Sequence, residues 1–221
     1  MDLEVIITTL NLSVLTTIIL FIISIPLAFV LSEGRGKLIN ALEAILSLPL
    51  VLPPSVLGYY LLVTFSPKNS IGYFLEKYFN TSFVFNFQGM LLASILFGLP
   101  FMLQPLKSAL SNLPRSLKET SYSLGKSKFK TLIYVLLPNI KPSILAAIVL
   151  TFTHTLGEFG VILMIGGNIP GKTRVASIAI YDEVQAMNYK VANLYSLTLL
   201  IISFIALVFI YRANRKPLDF L

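Results

Sequence analysis

Long apolar runs separated by short polar segments dominate this chain. Five of the runs reach the roughly 20 residues that a helix needs to cross the hydrocarbon core of a bilayer. They predict spans at about 6–31, 39–65, 88–104 (extendable to 113), 142–165 and 193–211, with Pro49, Pro53 and Pro54 interrupting the second. The period-2 alternation of membrane β-strands is absent. The pattern therefore predicts an all-α membrane protein whose 221 residues form a single domain.

Composition agrees with this prediction and excludes several other classes of protein. Hydrophobic residues make up 56% of the chain and charged residues only 12%, which leaves too little polar surface for a soluble domain. The chain has no cysteine, and its one histidine has no second ligand nearby, so we expect no disulfide and no metal site. Because the first run follows Asp2 and Glu4 without a basic residue, we expect a retained span rather than a signal peptide.

The net charge of +7 does not require nucleic acid as a partner, since Lys and Arg are enriched in the cytoplasmic loops of membrane proteins. With the N-terminus placed outside, the inner side holds twelve basic residues: Arg35, Lys37, Lys107, Arg115, Lys118, Lys126, Lys128, Lys130, Lys141, Arg212, Arg215 and Lys216. The outer side then holds five: Lys68, Lys77, Lys172, Arg174 and Lys190. This asymmetry predicts an N-outside, C-inside topology.

The polar segment 115–138 carries local signals for two short helices joined at a corner. Ser116 and Glu119 have the spacing of a capping box, which predicts a helix start at Ser116. Gly125 suits the left-handed position that ends such a helix. A second helix is predicted over about 127–136, and Pro138 and Pro142 are expected to break the path before the fourth span.

The same segment resembles the EAA loop of the membrane subunits of ABC importers, whose pattern is E-A-A-x3-G-x9-I-x-L-P. Glu119, Gly125 and Pro138 stand at the family spacing, while Thr120 and Ser121 replace the two alanines and Val135 the isoleucine. The resemblance implies a cytoplasmic coupling helix between spans three and four that docks on a separate ATPase. The residues it assigns to this docking are Glu119, Thr120, Ser121, Leu124, Gly125, Lys126, Phe129 and Pro138. The alternative is a solvated basic loop between two spans.

The run from Gly166 to Thr173, GGNIPGKT, satisfies the Walker A pattern G-x4-G-K-T, and we reject it as a nucleotide site. A phosphate loop needs a buried strand before it and a helix after it, but here a membrane span precedes it. The topology places the run outside the cell, and Pro170 removes a backbone N–H that a phosphate loop requires.

Two further runs resemble the molybdate permease branch of the same importers: LGEFG at 156–160 and GNIPGKT at 167–173. The resemblance implies a permease subunit that works as a homodimer in a bacterial or archaeal plasma membrane. It also implies an ATPase dimer and an extracytoplasmic oxyanion-binding protein as partners. On this reading the chain has no catalytic residue and binds no cofactor, because ATP and Mg belong to the ATPase. Tungstate, and sulfate or thiosulfate, are the alternative substrates.

Three polar residues of the fourth span are candidates for the transport path or its gate: Thr151, His154 and Glu158. A carboxylate inside a span is a functional candidate by default, although its charge would repel an oxyanion. His154 lies one helical turn before Glu158, so a neutralising pair between them is the structural alternative. The family usually has Arg at the position of His154. Thr151, Thr153 and Thr155 are expected either to bond the helix backbone or to face a polar path.

The loop 166–190 is the candidate surface for the binding protein, with Asn168, Lys172 and Arg174 as its contact residues. Its charges are otherwise explained as solvated. Two other classes of protein compete with the importer. An ion-coupled secondary transporter would carry several buried ionisable residues and often internal repeats, which this chain lacks. A membrane scaffold would not need the spacing of the coupling loop.

Overall fold

A computed structural model describes residues 1–214 of the chain as a bundle of helices of very different lengths. The helices are α1 Leu3–Glu33, α2 Lys37–Ser47, α3 Pro54–Phe65, α4 Ser70–Phe79, α5 Phe87–Ser111, α6 Arg115–Ser123, α7 Lys128–Thr131, α8 Leu137–Asn139, α9 Lys141–Leu156, α10 Gly160–Gly166, α11 Ala176–Gln185 and α12 Tyr189–Asn214. A 3-10 turn, Leu48–Leu50, follows α2, and a π-helical turn, Leu132–Leu136, joins α7 to α8. Arg215 and Lys216, which entered the charge count, lie outside the described residues.

Among the described residues, three helices are long and apolar enough to cross a membrane unbroken: α1, α5 and α12. They correspond to predicted spans one, three and five, with longer bounds. Helix α5 begins earlier than predicted because the Asn86 side chain caps it, accepting a hydrogen bond of 2.8 Å from Gly89 N. It also continues through Pro100 and Pro105 to Ser111. Proline is tolerated there because neighbouring groups in a membrane bundle satisfy the freed carbonyls.

Spans two and four are not single helices: the predicted interruption of span two at its prolines is present, whereas span four, predicted as one helix, is broken. Segments Lys37–Leu50 and Pro54–Phe65 meet at 106° across the Pro53–Pro54 step, which cannot carry helical hydrogen bonds. The predicted fourth span ends early at Leu156 and resumes as α10 at Gly160, because Phe159 has non-helical dihedrals of −124° and −64°. A bend of 82° also separates Lys128–Asn139 from α9. The described chain has five spans only if each of these two bent pairs counts as one.

Helices α1 and α5 form the centre of the bundle and pack along each other over most of their lengths. Their buried faces are rich in small residues: Ser13, Thr17, Ser24 and Ala28 on α1, and Gly89, Ala93, Ser94 and Gly98 on α5. Small side chains let membrane helices approach closely, and van der Waals contact then replaces the hydrophobic effect as the driving force. Larger side chains fill the two ends of this interface, with Leu20 and Leu106 in one cluster and Met90 and Ile165 in the other.

Hydroxyl groups on α1 satisfy backbone groups that the bilayer cannot. Thr9, Ser13 and Thr17 each donate a hydrogen bond to the carbonyl four residues earlier, at 2.6 to 2.9 Å. Thr9 Oγ1 also accepts from Ala176 N at 2.9 Å. Helix α11 has no side-chain cap of its own, so Thr9 supplies one from across the bundle. This bond fixes the start of α11, and with it the loop before it, against α1.

The central core makes a direct test of this packing possible. Leu106 is 1% exposed between α1 and α5, whereas Leu200 on α12 is 63% exposed. Leu106→Ala should lower the free energy of unfolding by about 2 kcal/mol, the low end for buried Leu→Ala changes, because lost packing dominates in a lipid-like solvent. Leu200→Ala is the matched control and should change it little. Unfolding of both variants in mixed micelles measures this, and equal losses would contradict the assigned core.

Candidate functional site

The segment 115–138 forms two helical arms, but the first arm does not begin as predicted. Helix α6 starts at Arg115 with Pro114 as its N-cap, and no side chain caps it. The predicted capping box at Ser116 and Glu119 is therefore wrong. Pro114 takes the N-cap position two residues before Ser116, which places Ser116 inside the first turn, where its hydroxyl does not cap the helix.

The corner between the arms is confirmed and is built by Gly125. Its φ of +76° lies in the left-handed region that favours glycine. Gly125 N donates to Tyr122 O at 2.9 Å, and Lys126 N donates to Ser121 O at 3.1 Å. These two bonds form a Schellman motif, which satisfies the last carbonyls of α6 and gives the corner a defined shape.

The two arms are also tied by a bond that sequence reasoning missed. Ser121 Oγ and Thr131 Oγ1 lie 2.8 Å apart, and both residues are buried. Ser121 is one of the residues that the resemblance assigns to ATPase docking, and its hydroxyl joins α6 to α7. Beyond Thr131, Leu132 and Leu136 enter the core cluster that contains Leu106. The segment is thus a rigid unit anchored in the membrane bundle by its second arm.

The outer side of this unit offers an exposed apolar and basic surface. Leu124 is 74% exposed and Phe129 is 70% exposed, on either side of the corner. A groove of about 250 Å³ runs beside them, lined by Ser116, Leu117, Thr120, Ser121, Leu124, Lys126 and Val135. The structure thereby brings Thr120, Leu124 and Lys126 together on one face. Pro138 lies apart from this groove, exposed in α8.

Glu119 lies on a different side of α6, in a charged cleft of about 390 Å³ between α6 and the ends of α1 and α5. The cleft is lined by Ser32, Glu33, Arg35, Ser111, Leu113, Arg115, Lys118, Glu119 and Tyr122. Lys118 forms an ion pair with Glu33, the last residue of α1. Burial raises the pKa of the Tyr122 phenol, and the Glu33 carboxylate adds to the shift. No sequence signal pointed to this long-range pair.

A second cleft, of about 690 Å³, lies where the two broken spans meet. Its lining comes from the start of α3 (Pro54, Ser55) and from Phe97 of α5. The rest comes from the end of α9 (Thr153, His154), the break after it (Gly157, Glu158, Phe159) and the start of α10 (Gly160). The two breaks are in direct contact, since a Cβ added at Gly160 would lie 3.1 Å from Pro54 Cβ and 3.3 Å from Ser55 N. Non-helical backbone at membrane depth is tolerated where it lines a cavity in this way.

His154 and Glu158 both line this cleft, but they do not form the predicted pair. The one-turn spacing holds only in a continuous helix, and α9 ends at Leu156, so Gly157 turns Glu158 away from His154. The His154 ring instead stacks on Phe101, with centroids 3.7 Å apart and planes at 23°. Glu158 is 5% exposed, and neither carboxylate oxygen has a hydrogen-bond partner among the described residues. The Ser94 hydroxyl is close to it without completing a hydrogen bond.

Of the three threonines of α9, one takes the expected role of bonding the helix backbone. Thr153 Oγ1 donates to Val149 O at 2.7 Å and so satisfies the helix backbone. Thr151 and Thr155 are buried, and their hydroxyls have no hydrogen-bond partner among the described residues. Unpaired polar groups at such depth are costly, which makes these two hydroxyls and Glu158 the candidates for a role beyond folding.

The loop 166–190 is held together by two of its own candidate contact residues. Asp182 Oδ2 accepts hydrogen bonds from Asn168 Nδ2 at 2.8 Å and from Arg174 Nη2 at 3.0 Å. Lys172 is exposed at the loop tip. Thr173, the last residue of the Walker-like run, is buried, and its hydroxyl donates to Gly166 O at 2.7 Å. A helix, α10, precedes this run where a phosphate loop would need a strand.

Comparison with known proteins places the chain among membrane transport components. The family described as "Binding-protein-dependent transport system inner membrane component" matches residues 21–216. A molybdenum transport system permease protein of Azotobacter vinelandii is 40% identical over 97% of this chain and 95% of that protein. A molybdenum transport system permease protein of Haemophilus influenzae is 32% identical, over 81% of this chain and 80% of that protein. A probable sulfate transport system permease protein of Marchantia polymorpha is 38% identical over 90% of this chain and 68% of that protein.

Two solved transporters share the fold. A chain of a bacterial alginate ABC transporter, solved with a periplasmic protein carrying an alginate pentasaccharide, matches with a TM-score of 0.79 at 22% identity. That match covers 96% of this chain and 78% of the other. A chain of the inward-facing MetNI methionine ABC transporter matches with a TM-score of 0.74 at 20% identity, over 96% and 94% of the two chains.

The corner at Gly125 can be tested without reference to any partner. A Cβ there would meet nothing within 4 Å, so a substitution acts only through backbone strain. Gly125→Val should cost roughly 1–2 kcal/mol, because a β-branched residue resists the left-handed conformation. The amide of Lys126 should then exchange its hydrogen about 5 to 30 times faster. Gly125→Asn, which tolerates this conformation, should leave exchange near the wild-type rate, and equal exchange in both variants would contradict the assigned strain.

Proposed function

Since the chain belongs to the family of binding-protein-dependent transport system inner membrane components, we propose that it imports molybdate as the permease subunit of an ABC importer. The observation that carries this proposal is the rigid two-armed unit of residues 115–138. Its Schellman corner presents Leu124 and Phe129 to solvent beside a groove, while its second arm is anchored in the bundle. A permease driven by a separate ATPase needs a rigid segment that is exposed for contact with the ATPase and attached to the membrane helices.

The partner at this surface is the ATPase subunit, which hydrolyses ATP on behalf of the complex. Exposed apolar side chains flanked by Lys126, Lys128 and Lys130 suit a groove that buries a hydrophobic anchor within a polar rim. Arg35, Arg115 and Lys118, which belong to the basic set that favours the cytoplasm, line one cleft beside this unit, and this supports an N-outside, C-inside topology. The loop 166–190 then faces outward, where Lys172 is free to meet an oxyanion-binding protein.

The transport path is formed by two copies of the chain around a two-fold axis, and the cleft at the broken spans faces it. One copy has too few spans to enclose a path, and closed two-fold symmetry is the commonest way to complete one. The cleft brings a helix start at Pro54 and Ser55 together with Glu158. Helix starts favour anions, whereas a carboxylate opposes them. Because these two effects oppose each other, the anion can pass the cleft without being bound tightly. A conducting path requires such weak binding.

Molybdate is favoured as the substrate because the relative that covers nearly the whole chain at 40% identity is a molybdenum permease. Sulfate is the second candidate, supported by the 38% identical sulfate permease of Marchantia polymorpha. Tungstate shares the size and charge of molybdate and should follow the same path. An ion-coupled secondary transporter is disfavoured, because Glu158 is the only buried carboxylate among the described residues.

Uptake into proteoliposomes tests this function. The chain, its ATPase and the binding protein are reconstituted together, and radioactive molybdate, tungstate and sulfate are offered in turn. Uptake should require ATP, the ATPase and the binding protein, with molybdate and tungstate transported and sulfate excluded. Uptake that continues without the ATPase but collapses when an ionophore removes the ion gradients would contradict the proposal. Preferential uptake of sulfate would replace the substrate while leaving the importer intact.

The Glu158 carboxylate should act as a barrier to uncontrolled passage of the anion. Glu158→Gln keeps the shape and removes the group that becomes negative when water enters the cleft, so efflux of preloaded molybdate without ATP should rise about tenfold, equivalent to roughly 1.4 kcal/mol. Thr153→Val is the matched control, because that residue lines the same cleft but its hydroxyl is already bonded to Val149 O. Wild-type efflux and uptake in the Glu158→Gln complex would exclude a gating role for the carboxylate.

A further inference from the structure

The two-armed unit of residues 115–138, here called the docking unit, is joined to α1 by the ion pair between Lys118 and Glu33. The two residues lie far apart in the sequence. Glu33 ends α1, and Lys118 lies in the middle of α6, one residue before Glu119. The two side chains are 36% and 15% exposed, so solvent screens the pair less than a fully exposed one. Tyr122 lies one turn after Lys118 and lines the same cleft as Glu33, and its hydroxyl is buried there.

Apart from this ion pair, few contacts connect α6 to the membrane bundle. The Ser121–Thr131 bond and the Schellman corner tie α6 to the second arm, and Leu132 and Leu136 tie that arm to the core. Towards α5, the link Asn112, Leu113 and Pro114 is a short turn. Helix α6 has little direct packing against α1. The Lys118–Glu33 pair is the ion pair that bridges these two helices among the described residues.

Because Glu33 is the last residue of α1, the ion pair can pass a displacement of α6 on to that helix. Helix α1 is continuous over 31 residues, and it packs along α5 and against α9, which carries Thr151 and His154. A displacement of its last residue is therefore transmitted to the centre of the bundle, because packed helices move as rigid bodies. The pair lies in a cleft that also holds Arg35, Arg115 and Glu119. A charge reversal at either position would thus leave like charges facing each other.

We infer that the Lys118–Glu33 ion pair is a strut that transmits movement of the docking unit to α1 during each ATP cycle. The inference rests on the proposed function, since it assumes that an ATPase moves this unit. Lys118 and Glu33 are positioning residues on this view: neither touches the transported anion, and both act through α1. The strut adds a second connection to the bundle beside the one through Leu132 and Leu136.

Charge exchange tests the strut in the reconstituted complex. Glu33→Lys and Lys118→Glu are made singly and together, and three quantities are measured: assembly with the ATPase, ATP hydrolysis, and molybdate taken up per ATP hydrolysed. Each single variant should assemble and hydrolyse ATP but lose about fivefold or more in uptake per ATP, the low end of typical coupling between two sites. The double variant restores opposite charges and should recover most of the loss.

A second ion pair in the chain supplies the matched control. Lys107 and Glu43 lie 2.6 Å apart and join α5 to α2, away from α6. Their exposure, 26% and 27%, is close to that of the first pair. Reversing either of these charges should leave uptake per ATP near the wild-type value. A loss as large as that of Glu33→Lys would show that any broken pair uncouples the protein, and would overturn the specific role of the strut.

The outcomes separate the strut from the proposed function. Wild-type uptake per ATP in both single variants, or a double variant no better than the worse single one, overturns the strut and leaves the importer standing. A wild-type complex that does not couple uptake to ATP overturns the importer itself. Should the charge reversals prevent assembly, Lys118→Arg and Lys118→Met decide the question. Arg should retain coupling and Met lose it, and equal coupling in the two contradicts the inference.

Discussion

A bilayer core offers no water to unpaired backbone groups, and the architecture of this protein follows from that constraint. Helices satisfy their own N–H and C=O groups, so α1, α5 and α12 can cross as unbroken rods. Two of the departures from a helix, at Pro53–Pro54 and at Gly157–Phe159, line one cleft. The two departures meet, and the cleft between them is where the buried carboxylate of Glu158 lies. The cleft and the irregular backbone therefore have a common cause.

The unit of residues 115–138, by contrast, has an exposed outer surface and still keeps a defined shape. Three local devices give it stiffness: the Schellman corner at Gly125, the Ser121–Thr131 bond, and the burial of Leu132 and Leu136. None of them depends on the apolar side chains at its surface, so Leu124 and Phe129 remain free for a partner. In the proposed function, nucleotide-driven movement of the unit reaches the bundle through the packed side chains of the second arm and through the Lys118–Glu33 pair of the first.

Periodic and local signals predicted much of this structure from the sequence. The long apolar runs identified α1, α5 and α12, since length and hydropathy suffice for a membrane helix. The corner at Gly125 was predicted because a left-handed residue after a helix is nearly always glycine or asparagine. The capping box at Ser116 failed because Pro114 imposed its own helix start. These cases share one property: the decisive interactions join residues a few positions apart.

Long-range contacts were beyond such reasoning. The His154–Glu158 pair failed because a backbone break at 157–159 undid the one-turn spacing on which it relied. The stacking of His154 on Phe101, the cap that Thr9 gives to α11, and the Lys118–Glu33 pair each join residues more than 50 positions apart. No periodicity marks them. Asn168 and Arg174 also have a partner that the sequence pattern does not mark. Both donate hydrogen bonds to Asp182 within the loop 166–190.

The most direct measurement of the central claim is site-specific cross-linking in the assembled complex. The chain contains no cysteine, so a single introduced thiol reports on one position only. With the ATPase present, Leu124→Cys at the corner and Lys172→Cys on the loop 166–190 are each treated with a short bifunctional thiol-to-amine reagent. The account predicts an adduct between the ATPase and Leu124→Cys, and none with Lys172→Cys. An ATPase adduct at Lys172→Cys without one at Leu124→Cys would contradict it.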